Sequence, residues 1–243
     1  MKMYFYLFLA LTSINAQATN LPKNSPISVL SLIKTANIEH SNEMATFDPR
    51  WVDSLSLSLP CYDVPVPKRT MRLPNAPRNY RNGTHRGLDF FANWGTPVRS
   101  VADGIVVRSD LHYEEVPADF RENLLKATTK VGHTPSDIFN SVLLGKSVFL
   151  DHGFDLIPGF RTISIYAHLS HIEKEIIPGA VVKRGELLGK SGNTGMREST
   201  IGSKAGSHLH WEMILQKGEQ EIYLGKGMSN PELYDMLSKI FVQ

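Results

Sequence analysis

The chain has 243 residues, of which 42% are hydrophobic and 21% charged, the proportions of an ordinary globular protein with enough length for one sizeable core and an extension. Formal net charge is only +2 and no basic cluster interleaves with aromatic residues, which excludes the electrostatic footprint of a nucleic-acid binder. The single cysteine, Cys61, has no second cysteine to bridge to, so disulfides do not build this fold and the thiol is expected to be buried and inert.

Residues 1–18 have the pattern of a secretory signal peptide. Lys2 supplies the positive end, Tyr4 to Leu11 a short apolar run, and Ala16-Gln17-Ala18 a small-x-small cleavage site. The apolar run falls well short of the roughly 20 residues that span a bilayer, so no stable membrane insertion is expected after cleavage. Residues 19–75 form an N-terminal extension rich in proline and serine. Ser25-Pro26 is set to open a short helix through Ile27, Leu30, Leu32 and Ile33, and Pro60, Pro65, Pro67, Pro74 and Pro77 point to an extended path over a surface. The pattern leaves open whether this segment packs on the domain that follows or partly covers its site.

Residues 76–243 are expected to form the main domain. From Thr84 onward, short Val-, Ile- and Leu-rich runs punctuated by glycine predict strands over Thr96–Val101, Gly104–Arg108, Lys146–Asp151, Arg161–Ala167, Ala180–Lys183, Leu187–Ser191 and His208–Leu215. The expected fold is mainly β, an antiparallel sandwich or barrel-like sheet. Residues 112–145 interrupt it as a helical insertion. Pro117 opens one helix with Phe120, Leu124 and Leu125 on its apolar side, and Thr134-Pro135 a second through Ile138, Phe139, Val142 and Leu143. Such an insertion serves either to cover a sheet edge or to wall a substrate groove. Ser229-Asn230-Pro231 then starts a C-terminal helix with Leu233, Met236, Leu237 and Ile240 toward the core.

Two motifs far apart carry the chemistry. His85-Arg86-Gly87-Leu88-Asp89 and His208-Leu209-His210 supply imidazoles and a carboxylate, a set suited to a catalytic zinc ion with three protein ligands and an open fourth position. Residues two apart on a strand share a face, so His208, His210 and Glu212 point one way and Leu209, Trp211 and Met213 the other. That spacing allows both histidines to bind metal, or one to bind while its neighbour handles protons. Glu212 is placed either to hydrogen-bond a histidine or to face solvent. His168 ends another alternating run, Thr162 to Tyr166.

Taken in order, these motifs resemble the lysostaphin/LytM-type zinc metallopeptidases. The series runs through His85-x-Gly87-Leu88-Asp89, Gly95-Thr96-Pro97-Val98, Ala102-Asp103-Gly104-Ile105-Val106, Val148 to Gly153, Tyr166-Ala167-His168-Leu169, Gly192-Asn193-Thr194-Gly195 and His208-Leu209-His210-Trp211-Glu212. The resemblance implies a LytM-type catalytic domain in which His85, Asp89 and His210 hold one Zn2+ per chain and His168 and His208 are the catalytic histidines. It implies an endopeptidase whose partner and substrate is peptidoglycan, cut at a crosslink or stem peptide, and the leader pattern makes that enzyme an exported, periplasmic one. The alternative is a non-catalytic LytM-like activator of another cell-wall hydrolase. Such relatives typically lack some ligands, whereas all five positions are filled here. The resemblance makes His152 a structural or supporting residue. Residues 112–145 stand where the family has a shorter connection. Gly192–Gly195 lacks the Lys-Ser/Thr pair of a phosphate loop and is expected to be a tight turn. His40, His112, His133 and His171 match no motif, and no pattern specifies an oligomeric state.

Overall fold

The computed structural model describes residues 46–242. The leader read over residues 1–18 and the short helix read over residues 25–33 lie outside the described residues. The protein is mainly β, with antiparallel sheets and few helices. Ten of the described strands form its two larger sheets: β1 (Leu88–Phe90), β2 (Pro97–Arg99), β3 (Gly104–Ser109), β4 (Val148–Asp151), β5 (Arg161–Ala167), β6 (Leu169–Ile172), β7 (Val181–Val182), β8 (Leu187–Ser191), β9 (Leu209–Lys217) and β10 (Gln220–Tyr223). The main sheet runs β7-β3-β4-β5-β9-β10, with β1 also on β9, and every pairing in it is antiparallel. A smaller sheet runs β2-β8-β6.

The nine-residue β9 organises the site. Along one edge it pairs with β5 from His210 to Gln216. Its other edge is shared: β1 pairs with its first turn of residues, His210 opposite Asp89, and β10 with its last. The segment leading into β1 comes so close to β9 that a Cβ on Gly87 would lie 2.2 Å from the Trp211 carbonyl oxygen. Gly87 is therefore needed for its missing side chain, which lets His85 and Asp89 flank the same strand.

β9 is buried on both faces. Leu209, Trp211, Met213 and Leu215 enter the main core, where Trp211 meets Phe241 edge-on at 5.2 Å. The opposite face carries His210, then Glu212, then Ile214, and Ile214 joins a second apolar cluster with Ile163, Ile165, Phe139, Leu143 and Leu144. Phe139, Leu143 and Leu144 come from the insertion. There α1 (Ala118–Val131) is followed by a turn of helix over Ser136–Ile138 and a π-helical turn over Phe139–Leu143. The insertion thus covers a sheet face and also borders the cleft described below. On its first helix Leu124 and Leu125 are half-buried, and Leu125 packs against this second cluster. Phe120 is 50% exposed and the buried positions of α1 are Arg121 and Thr128.

The described part of the N-terminal extension packs into the main core through Phe47, Val52, Leu55, Leu57, Leu59 and Leu73, with Cys61 fully buried among them. Burial pushes the Cys61 thiol up to about 12, which keeps it unreactive. Leu57–Ser58 pairs in parallel with Phe241–Val242, tying the two ends of the described chain together. Phe241–Val242 follows α2 (Glu232–Ile240), whose Leu233, Met236, Leu237 and Ile240 are all buried, as their spacing predicts. Among the described residues no helix is long and apolar enough to cross a membrane.

Candidate metal centre

One end of β9 gathers the motif residues. His85 precedes β1, Asp89 sits within it and His210 lies opposite Asp89 on β9. Their ligand atoms converge: His85 Nε2 lies 2.9 Å from Asp89 Oδ1 and 3.1 Å from His210 Nδ1, and His210 Nδ1 lies 2.9 Å from Asp89 Oδ1. All three residues are buried, and their ligand atoms are mutually within 4.8 Å.

Each donor is aimed by a second partner. His85 Nδ1–H donates to the Leu73 carbonyl at 2.8 Å, leaving the Nε2 lone pair for the cleft. His210 is held the other way round: its Nε2–H donates to Glu212 Oε1 at 2.8 Å and leaves Nδ1 facing Asp89 and His85. Arg78 takes Asp89 Oδ2 at 2.9 Å, so that Oδ1 is the free oxygen. Orientation of a ligating imidazole by a carbonyl or carboxylate on its far nitrogen is the usual support of a metal site. The donor set of two imidazoles and a carboxylate, each with one uncommitted atom turned to a common point, fits a zinc ion with an open position. Glu212 is fully buried, not solvent-facing, and its other oxygen pairs with Arg86 at 3.0 Å.

The electrostatics follow from this packing. Burial alone would lower His210, but Asp89 and Glu212 outweigh it and push it up to about 9. Burial raises Glu212, yet Arg86 and His210 prevail and bring it to about 2. Asp89 is likewise desolvated, but His85, His208 and His210 hold its carboxyl well below the usual carboxylate range. His85 is lowered by burial, with Asp89 opposing.

Two more imidazoles border the same cleft. His168 stands between β5 and β6, where the chain crosses from the main sheet to the smaller one, with φ of 59°. A non-glycine residue in the left-handed region costs about 1–2 kcal/mol, and the strain turns the ring toward β9. Its Nδ1–H donates to the Thr194 carbonyl at 2.8 Å, which makes the Gly192–Gly195 turn the holder of this ring. Burial, then the neighbouring His208 and His210, keep His168 well below the ordinary histidine range, hence neutral. His208 precedes β9 and is bonded through its backbone N–H to Gly192, while its Nδ1–H donates to the Gly206 carbonyl at 2.8 Å. The His168 and His208 rings meet edge to face at 4.9 Å, and His208 Nε2 is 3.5 Å from Asp89 Oδ1.

His152 is elsewhere: buried, it bonds the Asp103 carbonyl and Ser164 Oγ and does not border the cleft. Sequence reasoning missed Arg81 and Arg121, which both line the cleft. No periodicity marks them, because their place depends on how the insertion docks.

A His–Asp–His cluster beside two further imidazoles defines a candidate metallopeptidase centre. Comparison with known proteins agrees: residues 127–222 match the model of peptidase family M23 and include His168, His208 and His210. Residues 127–222 are thus similar to peptidase family M23, in keeping with the resemblance read from the motifs. A protein of Buchnera aphidicola subsp. Baizongia pistaciae, described as an uncharacterized metalloprotease, is 26% identical over 58% of this chain and 26% of its own length. One of Haemophilus influenzae with the same description is 30% identical over 53% of this chain and 18% of its own length. The chain thus spans about a quarter or less of the length of either relative. Among solved structures, the catalytic domain of lysostaphin from Staphylococcus simulans is 21% identical, with 69% of this chain and 86% of that chain covered at a TM-score of 0.36.

Proposed function

We propose that this protein is an exported, zinc-dependent endopeptidase that hydrolyses peptide bonds of bacterial peptidoglycan, at crosslinks or stem peptides. The observation that carries the reading is the convergence of His85 Nε2, Asp89 Oδ1 and His210 Nδ1 on one point, with His168 and His208 in the same cleft. The M23 match and the ordered motifs support the substrate class, and the leader pattern of residues 1–18 supports export to the periplasm.

In this reading His85, Asp89 and His210 hold one zinc ion. When bound, zinc supplies Lewis acidity, polarising the scissile carbonyl and acidifying water. Glu212 and the Leu73 carbonyl keep the two ligand imidazoles in the tautomers that ligation needs. His168 and His208 each spend Nδ1–H on a backbone carbonyl and keep Nε2 for the reaction. One of this pair takes the proton from the attacking water. The other stabilises the oxyanion or protonates the leaving amine. Burial holds His168 well below the ordinary histidine range, so its Nε2 is unprotonated at neutral pH. Purified sacculi digested with and without a chelator, with products weighed by mass spectrometry, test the proposal. Soluble peptide fragments that vanish with the chelator are expected. An intact polymer in the presence of zinc-loaded protein overturns it and favours the activator alternative.

A further inference from the structure

The cleft holds more positive charge than its metal centre uses. Arg78, Arg81 and Arg121 line it, and Asp89 is the one carboxylate among the described lining residues. Arg78 is spent on Asp89, and the nearby Arg86 on Glu212. Arg81 and Arg121 are each only 7% exposed, and among the described residues no carboxylate pairs with either. They are instead fixed by neutral groups. Arg81 donates from Nη2 to the Thr84 carbonyl at 2.7 Å, and its guanidinium lies 4.7 Å from the Phe139 ring centre. Arg121 donates from Nε to the Gly195 carbonyl at 2.9 Å, in the turn that also holds His168. The acidic neighbour on that side, Glu115, is taken up by the Gly195 N–H and the Tyr113 hydroxyl. The two arginines belong to elements that pack together, the Asn79–Arg81 turn against α1.

A guanidinium does not shed its proton, so two nearly buried, unneutralised ones are costly unless an anion answers them. Each anchoring bond takes one donor nitrogen, and both side chains line the cleft. Planar forked donors match a carboxylate bidentately.

We propose that Arg81 and Arg121 form a carboxylate receptor in the substrate cleft. The favoured peptide then carries a free carboxylate beside the bond to be cut, and its carboxamide counterpart is disfavoured. This rests on the peptidase reading above and narrows it to acidic peptides. The receptor belongs jointly to the insertion and to the turn before β1, so specificity is set by elements outside the His–Asp–His motif.

The test uses the zinc-loaded full chain and two synthetic crosslink peptides, identical except for a carboxylate or a carboxamide on the residue next to the scissile bond. The carboxylate peptide is expected to be favoured by about 10-fold or more in kcat/KM, because a site built around a charged hydrogen-bond partner rejects the analogue that lacks it. Arg81→Gln and Arg121→Gln should level the two peptides while retaining zinc and the wild-type circular dichroism, and Arg121→Lys should restore part of the preference. Equal kcat/KM for the two peptides in the wild type overturns the receptor and leaves the peptidase reading standing. Should neither peptide be cut, the peptidase reading falls, and calorimetric affinities of the same two peptides decide the receptor. Tighter binding of the carboxylate form by about 10-fold, lost in the glutamine variants, supports it. Equal affinities overturn it.

Discussion

At the scale of single residues, the proposed chemistry divides into ligands and proton carriers, and the two groups fail differently. His85→Ala and Asp89→Ala each remove a converging donor, so both variants are expected to lose zinc and hydrolysis together. Full zinc content in the double variant, by elemental analysis, would rule out this ligand set. His168→Ala and His208→Ala should keep most of the zinc and lose about 100-fold or more in rate, the usual scale of a positioned acid–base group. Loss of metal from His208→Ala with retention in His210→Ala would instead exchange the roles of these two neighbours. The five residues named from the motifs are brought to one cleft, and they were legible because their types and order survive as local patterns. The alternation around His210 also put Glu212 on its face, though not its full burial, which depends on the insertion lying over that face. Arg81 and Arg121 were not legible. An arginine in a turn or on a polar helix has no local signature, and only the packing of two distant segments brings this pair to the cleft.

At the scale of elements, the insertion is both cover and wall. Phe139 shows the double duty: it belongs to the apolar cluster over the sheet, and the guanidinium groups of Arg81 and Arg86 lie over its ring at 4.7 and 4.6 Å. Phe139→Ala is expected to cost about 3–5 kcal/mol, the range for truncating a buried aromatic. Thermal unfolding would register this as a large fall in Tm, and an unchanged Tm would mean that the insertion does not seal that face. The strands of four residues or more were mostly visible as Val-, Ile- and Leu-rich runs. β5 and β8 were read with the bounds the fold gives them. β1, with three residues, is too short to display a period of two, and β10 is polar at its start, so neither announced itself. On α1 Phe120 departs from the apolar side read in the sequence, being exposed, whereas Leu124 and Leu125 are half-buried on the same face as Arg121 and Thr128.

At the scale of the whole molecule, metal binding and acidity are linked. Burial would lower His210, but Asp89 and Glu212 outweigh it, so that in the absence of metal it holds a proton up to about pH 9. A proton on Nδ1 occupies the electron pair that zinc must use. Zinc uptake below that pH therefore releases a proton, and affinity should rise by about 10-fold per pH unit toward pH 9 and level off above it. Competition with a chromophoric chelator from pH 6 to 10 would show this, and a flat profile between pH 6 and 8 would contradict it. The imidazoles' far-side bonds have a consequence for the order of events in the life of the protein. Leu73, Thr194, Gly206 and Glu212 set the four rings through groups that belong to the finished fold. Assembly of the chain then comes first and loading second. Stripping with a chelator should leave the circular dichroism spectrum intact, and added zinc should restore activity within mixing time, without a refolding delay.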